Sequence, residues 1–372
     1  MTKIPVFYND KQTATKNDSF SPSAGKPAKV MANWLASGIP IEQMDFKPLK
    51  RSHIALAHNP RYVADVLDGR RSNGFGNTLK EVNDTLPYTT GSFLHATLHA
   101  LKTGKVAASL TSGFHHACYD NGGGFCTFNG LMITAQFLLL HGLVRKVGIL
   151  DMDEHSGNGQ ENIIQHFNMR DRVSHWSLGY SGPTRYGAKK FFKKEFKKVL
   201  ATNFADVDVL LFQAGADPWV NDPLGGRLTK EQLRMRDQMV FEFCAKRGIP
   251  VVWNLAGGYA DQFQNVLDIH LNTLIEAAKA FGVADRSDLT NTDDGEVKKN
   301  MWESFDSRFN DHGSDDEEPL YRKQDLDLDK THFVPEFNEQ IGEEEILRYL
   351  REEDENEQEM ILEHFMKNLQ RG

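Results

Sequence analysis

The sequence predicts an α/β fold built on a parallel sheet, because three short apolar segments are each followed by a turn rich in glycine or acidic residues. These segments are residues 146–150, 207–213 and 249–255. A short apolar segment bounded by such turns is typical of a strand buried on both faces of a parallel sheet. In open α/β sheets, ligands bind at the carboxyl ends of the strands. We therefore expect the functional residues just after these segments.

The chain that follows the first of these strands predicts a metal site. Asp151, Asp153 and His155 occupy alternate positions, so in extended chain their side chains point the same way. Asp217 follows the second strand and lies within reach if the two strands are neighbours, although taken alone it is also compatible with a turn cap before proline. Carboxylates and an imidazole that converge beyond an apolar strand repel one another or lose solvation unless a cation joins them. Because the three cysteines lack a zinc-binding spacing, oxygen and nitrogen atoms would hold the metal.

Residues 113–130, GFHHACYDNGGGFCTFNG, predict a second part of the same site. His115 and His116 lie among glycines, which allow the backbone to approach a ligand, and phenylalanines, which form apolar walls. A lone histidine is more often a hydrogen-bonded core residue, but two in tandem beside a glycine-rich turn favour proton transfer. In residues 256–259, AGGY, two glycines precede Tyr259 and can aim its phenol into a cleft, a signal that is weak on its own.

The spacing of apolar residues predicts the remaining elements. Residues 4–8 form a short apolar segment, and residues 72–77, SNGFGN, predict a loop at the rim of a pocket. Helical spacing is found at residues 29–35, 59–67, 92–110 and 191–200. The last of these segments is rich in lysine and is expected to be an amphipathic surface helix. The alternative is that this segment binds an anionic partner such as the acidic tail.

Composition is that of an ordinary soluble protein. The chain has 372 residues, of which 40% are apolar and 26% are charged, enough for one large core or two small ones. No apolar run is long enough to span a bilayer, and the amino terminus has no basic-then-apolar leader, so we expect a cytoplasmic protein without membrane contact. No motif that reads nucleic acid is found, and we expect no nucleic-acid partner.

The net charge of −9 divides unevenly along the chain. Residues 283–372 hold 27 acidic and 11 basic residues, a net charge of −16, whereas the preceding residues carry +7. We therefore predict a catalytic domain at residues 1–282, a flexible acidic linker at 283–340 and a helical tail at 341–372. The tail helix is expected either to dock weakly on its own core or to bind a partner or a second copy.

Taken together, four motifs identify a family resemblance. GFHHA with GGGFCTFNG, DMDEHSGNG, AGADP with DPLGG, and GGY occur in the order and rough spacing of the histone deacetylase superfamily. SNGFGN and the asparagine of SGNG look like its bacterial branch, which resembles class II histone deacetylases and acetylpolyamine amidohydrolases. The resemblance covers about residues 5–280 and implies the three-layer arginase-type fold, with eight mostly parallel strands flanked by helices.

The resemblance also implies the role of each motif residue. It makes three residues the ligands of Zn²⁺, or alternatively Fe²⁺: Asp153, His155 and Asp217. His116 would be the general base with Asn158 behind it, Asp151 would hold His115, and Tyr259 would donate to the oxyanion. Four residues would line the acyl-lysine channel: Gly124, Phe125, Tyr186 and Leu224. Three would bind K⁺ or Na⁺: Asp151, Ser177 and the Leu178 carbonyl.

The sequence departs from the family pattern at several positions. Asn158 stands where class I members have an aspartate, so the charged form of His116 would be stabilised less. Residues 21–27 offer Lys26 where many members have a histidine and an arginine near the metal. Ser156 replaces a second histidine, and residues 72–77 lack the acidic rim residue that holds a peptide backbone.

These observations predict a metal-dependent amidohydrolase that removes acetyl or similar short acyl groups from lysine. The substrate partner would be an acyl-lysine protein or peptide. One alternative is the same reaction on acetylated polyamines or another small amide. Another, from a different class, is an inactive module that binds acyl-lysine. The acidic tail is a candidate for oligomer or partner contacts.

Overall fold

A single parallel sheet forms the centre of the protein. The computed structural model describes residues 2–283. Its seven strands, all parallel, are β1 (Ile4–Phe7), β2 (Ile41–Met44), β3 (Val106–Ser109), β4 (Val147–Asp151), β5 (Val173–Ser177), β6 (Val209–Gln213) and β7 (Val251–Asn254). Their order across the sheet is β2-β1-β3-β7-β6-β4-β5. The predicted α/β class and parallel sheet are confirmed.

The predicted number of eight strands is wrong for the described residues, whose sheet has seven. The edge strand β2 carries Glu42 and Gln43 exposed to solvent. Charged and polar side chains on an edge discourage the pairing of another strand. At the other edge, Ser174 and His175 of β5 are only partly buried, so this edge is not covered as a central strand would be.

Helices flank the sheet. They are α1 (Lys26–Ala36), α2 (Arg51–Ile54), α3 (Pro60–Leu67), α4 (Lys80–Asn83), α5 (Leu86–Thr103), α6 (Gly130–Leu140), α7 (Asn158–His166), α8 (Leu178–Ser181), α9 (Ala188–Lys190), α10 (Phe196–Phe204), α11 (Lys230–Arg247) and α12 (Gln264–Ala280). A π-helical turn, Phe191–Glu195, joins α9 to α10. The helices predicted at residues 29–35 and 59–67 are confirmed as α1 and α3.

The helix predicted at residues 92–110 is wrong in its second half. Helix α5 ends at Thr103, and Gly104 adopts a φ of 64°, a left-handed conformation that stops a helix. Residues 106–108 then pair in parallel with β7. The apolar spacing of this short segment fits both states, and the sheet decides between them.

The two faces of the sheet are covered by different helices, which gives three layers. On one face, Leu211 belongs to a core that includes Phe93 of α5 and Ile133 of α6. On the other face, the ring of Phe212 lies 5.8 Å from that of Phe241 in α11. Because both faces are buried there, the central strands β3, β4, β6 and β7 are apolar up to their last residue, and only their ends carry chemistry.

The strand order explains where the polar residues meet. Strand β4 lies between β5 and β6, and β7 lies on the other side of β6. Asp151, the last residue of β4, is level with Ser177 of β5 and Gln213 of β6. The turns that follow these strands therefore share one edge of the sheet.

The lysine-rich segment is confirmed as an amphipathic surface element. Phe191, Phe192 and Phe196 are buried, whereas the lysines between and after them are exposed. Among the helices within residues 2–283, none has the length and apolar character needed to cross a bilayer. The linker and helical tail predicted from residue 283 onward lie, apart from that residue, outside the described residues.

Candidate active site

Three side chains meet beyond the carboxyl ends of β4 and β6. His155 Nδ1 lies 3.1 Å from Asp153 Oδ1 and 3.1 Å from Asp217 Oδ2. One donor atom from each residue lies within 4.8 Å of the others. Four ligands placed tetrahedrally at about 2.0–2.2 Å from zinc are about 3.3–3.6 Å apart. The three residues predicted as ligands are thus brought to nearly the spacing that one divalent ion requires.

The surroundings of these atoms fit a bound cation. Asp217 is completely buried, and its Oδ2 atom has no hydrogen-bond partner among the described residues. Asp153 Oδ2 accepts a hydrogen bond of 2.8 Å from the Gly257 backbone N–H. A side chain at Gly257 would place Cβ 2.2 Å from Asp217 Oδ2, so glycine is needed for this close approach. A metal would satisfy the free carboxylate oxygen and leave a coordination position for substrate.

The pKa values of Asp217 and His155 reflect two buried carboxylates that lie close together. Burial, followed by the nearby Asp153, raises the pKa of Asp217 to about 8. The neighbouring carboxylates of Asp153 and then Asp217 raise the pKa of His155 to about 11. Both shifts arise because two buried carboxylates compete for positive charge, which a divalent ion would supply.

His115 connects this cluster to a buried carboxylate beneath it. Its Nδ1 atom lies 2.9 Å from Asp151 Oδ2, and its Nε2 atom lies 3.5 Å from Asp153 Oδ1. Burial lowers the pKa of His115, but the charges of Asp153 and Asp151 outweigh it and raise the pKa to about 9. This histidine therefore adds positive charge behind the ligands.

His116 has the tautomer that a general base needs. Its Nδ1 atom lies 2.6 Å from Asn158 Oδ1. The amide oxygen cannot donate, so Nδ1 carries the proton and Nε2 is left as an acceptor. Burial, and then the neighbouring His115, lower the pKa of His116, so it is neutral near pH 7. Its ring lies 5.8 Å from that of His155, which puts it beside the ligand cluster.

Tyr259 is held by a buried acid. The Tyr259 backbone N–H donates to Asp222 Oδ2 at 2.7 Å, and the Leu224 N–H donates to Asp222 Oδ1 at 3.0 Å. Burial, then the charges of Asp217 and Asp153, raise the pKa of the Tyr259 phenol well above its usual range, so the hydroxyl stays a donor. Sequence reasoning missed Asp222. An aspartate before proline in a glycine-rich turn is the signal that was available, since such residues often accept backbone N–H bonds.

Lys26 supports the same tyrosine turn from below. It is fully buried and donates to the carbonyl oxygens of Ala256 and Gly257, the latter at 3.0 Å. Ala256 has a φ of 50°, a strained value for a residue with a side chain. Burial lowers the pKa of Lys26 to about 8, against the opposing charges of Asp217 and then Asp153. Lys26 thus stabilises a backbone conformation that the turn would not adopt alone.

Of the four residues predicted to line the channel, three lie near the site and one does not. Phe125 has a φ of 64°, and its ring lies 5.7 Å from Tyr259. At Gly124 a Cβ atom would lie 2.4 Å from His116 Cδ2, so this glycine lets the wall contact the histidine. Leu224 is partly exposed beside Asp222, whereas Tyr186 is 91% exposed and is not packed into the site.

Two further phenylalanines extend the aromatic wall. The rings of Phe20 and Phe75 lie 5.4 Å and 5.6 Å from that of Phe125. Gly74 accepts the Phe125 backbone N–H, so the loop predicted as a rim does lie beside this wall. Sequence reasoning missed both phenylalanines as wall residues, because they are far from Phe125 along the chain.

The residues predicted to bind a monovalent cation lie together, but the Leu178 carbonyl already accepts a hydrogen bond from another side chain. Asp151 and Ser177 are paired across β4 and β5, and Leu178 follows directly. The Leu178 carbonyl accepts a hydrogen bond of 3.0 Å from Arg227 Nη1. A protein group therefore already uses the Leu178 carbonyl oxygen.

Comparison with known proteins finds a matching domain model and related sequences. Residues 23–186 match the model of the histone deacetylase domain, a range that includes His116, Asp153 and His155 but ends before Asp217 and Tyr259. An uncharacterized protein of the cyanobacterium Picosynechococcus is 29% identical over 59% of this chain and 79% of its own length. Histone deacetylase 2 of Arabidopsis thaliana is 28% identical over 43% of this chain and 46% of its own length.

A solved structure shares the fold. The acetylpolyamine aminohydrolase of Burkholderia pseudomallei superposes with a TM-score of 0.58 at 17% identity, over 75% of this chain and 99% of that protein. At this identity the likeness establishes the fold alone.

Proposed function

We propose that this chain is a metal-dependent amidohydrolase that removes acetyl or similar short acyl groups from lysine side chains, because residues 23–186 match the histone deacetylase domain and a plant histone deacetylase is a relative. The observation that carries the proposal is the convergence of Asp153, His155 and Asp217 beside a neutral histidine. Their donor set of two carboxylates and one imidazole suits Zn²⁺, with Fe²⁺ as the alternative.

The proposed reaction uses the residues around the ligand cluster. A divalent metal held there supplies Lewis acidity towards the amide carbonyl and the water. His116 Nε2 takes a proton from the attacking water, whose oxygen bonds to the acyl carbon. The same histidine then returns the proton to the lysine nitrogen as the C–N bond breaks, which releases a carboxylic acid and an amine; the acid then ionises and the amine takes up its proton. General acid–base catalysis of this kind typically contributes about 10²–10⁴ in rate.

Tyr259 is proposed to stabilise the negative charge that develops on the carbonyl oxygen. Its phenol remains protonated because burial and the ligand carboxylates raise its pKa. Loss of one such donor typically costs roughly 3–4 kcal/mol of transition-state stabilisation. The hydrogen bond from the Tyr259 backbone to Asp222 fixes the segment that carries this phenol.

The second candidate substrate is an acetylated polyamine. It is favoured by the loop at residues 72–77, which has no acidic side chain to hold a peptide backbone. Comparing kcat/KM for acetyl-lysine peptides and for acetylspermidine separates the two. Binding of an acyl-lysine peptide without turnover by the metal-loaded protein would instead support an inactive binding module.

The decisive experiment combines metal analysis with two variants. We expect Tyr259→Phe and His116→Ala each to lower turnover of an acetyl-lysine peptide at least about tenfold while metal content stays at the wild-type value. Tyr180→Phe is the matched control, because Tyr180 is 54% exposed. Wild-type turnover in both test variants would remove these roles.

A further inference from the structure

We propose that an ion pair built into the chain, Glu154 with Arg227, replaces a monovalent cation at the carboxyl ends of β4 and β5. The guanidinium of Arg227 supplies the positive charge at the Leu178 carbonyl, and no K⁺ or Na⁺ binds between Asp151, Ser177 and Leu178. The proposal does not depend on which amide is hydrolysed.

The first argument is that the acceptor atoms are saturated. Asp151 Oδ1 accepts from Gln213 Nε2 at 3.1 Å and from the Asp153 N–H at 3.2 Å. Asp151 Oδ2 lies 2.9 Å from His115 Nδ1 and accepts from Gln160 Nε2 at 3.3 Å. A carboxylate offers about four lone-pair directions, and all are taken.

The other two predicted cation ligands, Ser177 Oγ and the Leu178 carbonyl, have few free lone pairs. The Leu178 carbonyl accepts from the Gly182 N–H at 2.8 Å and from Arg227 Nη1 at 3.0 Å, so both of its lone pairs are used. Ser177 Oγ accepts the Gly157 N–H at 3.2 Å. A cation would have to displace the guanidinium from Leu178 or share one oxygen with a like charge, which electrostatic repulsion opposes.

The second argument is that Arg227 is anchored to three strand ends. Its Nε atom lies 2.6 Å from Glu154 Oε1, in the turn after β4. Its Nη1 atom reaches the residue after β5, and its backbone N–H donates to the Pro218 carbonyl at 2.9 Å, in the turn after β6. Arg227 therefore joins the turns after β4 and β6, which carry the predicted metal ligands, to the end of β5. A rigid planar guanidinium can make such contacts in several directions at once.

The ion pair is shielded from solvent enough to contribute to stability. The side chains of Arg227 and Glu154 are 27% and 13% exposed. Charge-assisted hydrogen bonds in such surroundings are stronger than those on an open surface. In the sequence Glu154 lies between the predicted ligands Asp153 and His155. The ion pair with Arg227 therefore helps to fix the position of that turn.

The test measures stability, so it is independent of catalysis. The melting temperature of the metal-loaded full chain is recorded in potassium chloride and in tetramethylammonium chloride at equal ionic strength. We expect the same value in both salts for the wild type, and a loss of about 4 °C or more for Arg227→Met. Arg51→Met is the control, because it removes an ion pair in which Arg51 is 54% exposed. A saturable rise of the wild-type melting temperature with potassium, or no loss in Arg227→Met, would overturn the proposal.

A second variant and a direct measurement keep the test decisive if Arg227→Met does not fold. Arg227→Lys keeps the charge but cannot span both Glu154 and Leu178, so we expect a smaller loss of melting temperature. Crystals of the wild type grown in rubidium chloride should show no anomalous peak within coordination distance of the Leu178 oxygen. Such a peak would refute the proposal while leaving the deacetylase function untouched.

Discussion

Replacing Asp222 by asparagine tests how the oxyanion donor is positioned. The carboxylate accepts two backbone N–H groups, those of Tyr259 and Leu224, at 2.7 and 3.0 Å. Asparagine keeps one acceptor oxygen and turns an NH₂ group towards the other N–H, so one hydrogen bond is lost. A hydrogen bond to a charged group contributes about 1.5–3 kcal/mol. If that energy holds Tyr259 in place, kcat falls by about 10- to 100-fold, since about 1.4 kcal/mol corresponds to a factor of ten.

A double-mutant cycle distinguishes positioning from general destabilisation. In a Tyr259→Phe background the hydroxyl is already absent, so Asp222→Asn should lower kcat by less than about threefold. The assay is turnover of an acetyl-lysine peptide, with metal content and melting temperature recorded for each variant. Asp206→Asn serves as the control, because its side chain is 67% exposed. Equal losses in both backgrounds would show that Asp222 does not act through Tyr259.

Three further predictions concern metal binding, acid stability and the pH profile. An alanine at Gly257 places Cβ 2.2 Å from Asp217 Oδ2, so the metal content of the purified variant should fall well below that of the wild type; full occupancy would contradict the packing argument. Burial lowers the pKa of His58 from 6.5 to about 4. The unfolded chain therefore binds the proton first, and the free energy of unfolding falls as pH drops below 6.5. The part of this loss that comes from His58 is about 2 kcal/mol at pH 5, so in denaturant titrations His58→Gln should lose about 2 kcal/mol less than the wild type. Activity should fall on the acid side as His116, whose pKa burial lowers below 6.5, gains a proton. The variant Asn158→Asp should shift that limb to higher pH by stabilising the charged imidazole, and an unmoved limb would exclude His116 as the base.

Much of the site could be read from local sequence because its residues stand at strand ends. Asp153 and His155 are two positions apart beyond an apolar strand, which fixes their common direction whatever the rest of the chain does. The aspartate and the tyrosine that follow β6 and β7 were found by the same reasoning. What joins them is the strand order, in which β6 lies beside β4.

Other features depended on contacts between distant segments. Residues 106–108 have apolar spacing that fits a helix, yet they pair with β7 and become part of a strand. The number of strands came from the resemblance and was too high by one for the described residues, since a solvated polar edge ends the sheet at β2. Tyr186 was placed in the channel by the family resemblance, but its ring is 91% exposed.

The sequence by itself determined the kinds of chemistry available: apolar strands that must be buried, and oxygen and nitrogen donors at their ends that require a cation. Periodicity and residue type carry this information locally. Only the tertiary structure decided that Asp222 holds Tyr259, that Lys26 supports the turn beneath it, and that Arg227 occupies the Leu178 carbonyl. The partners in these contacts are between 37 and 231 positions apart, and which of many polar groups meet is set by strand order and packing rather than by any local pattern.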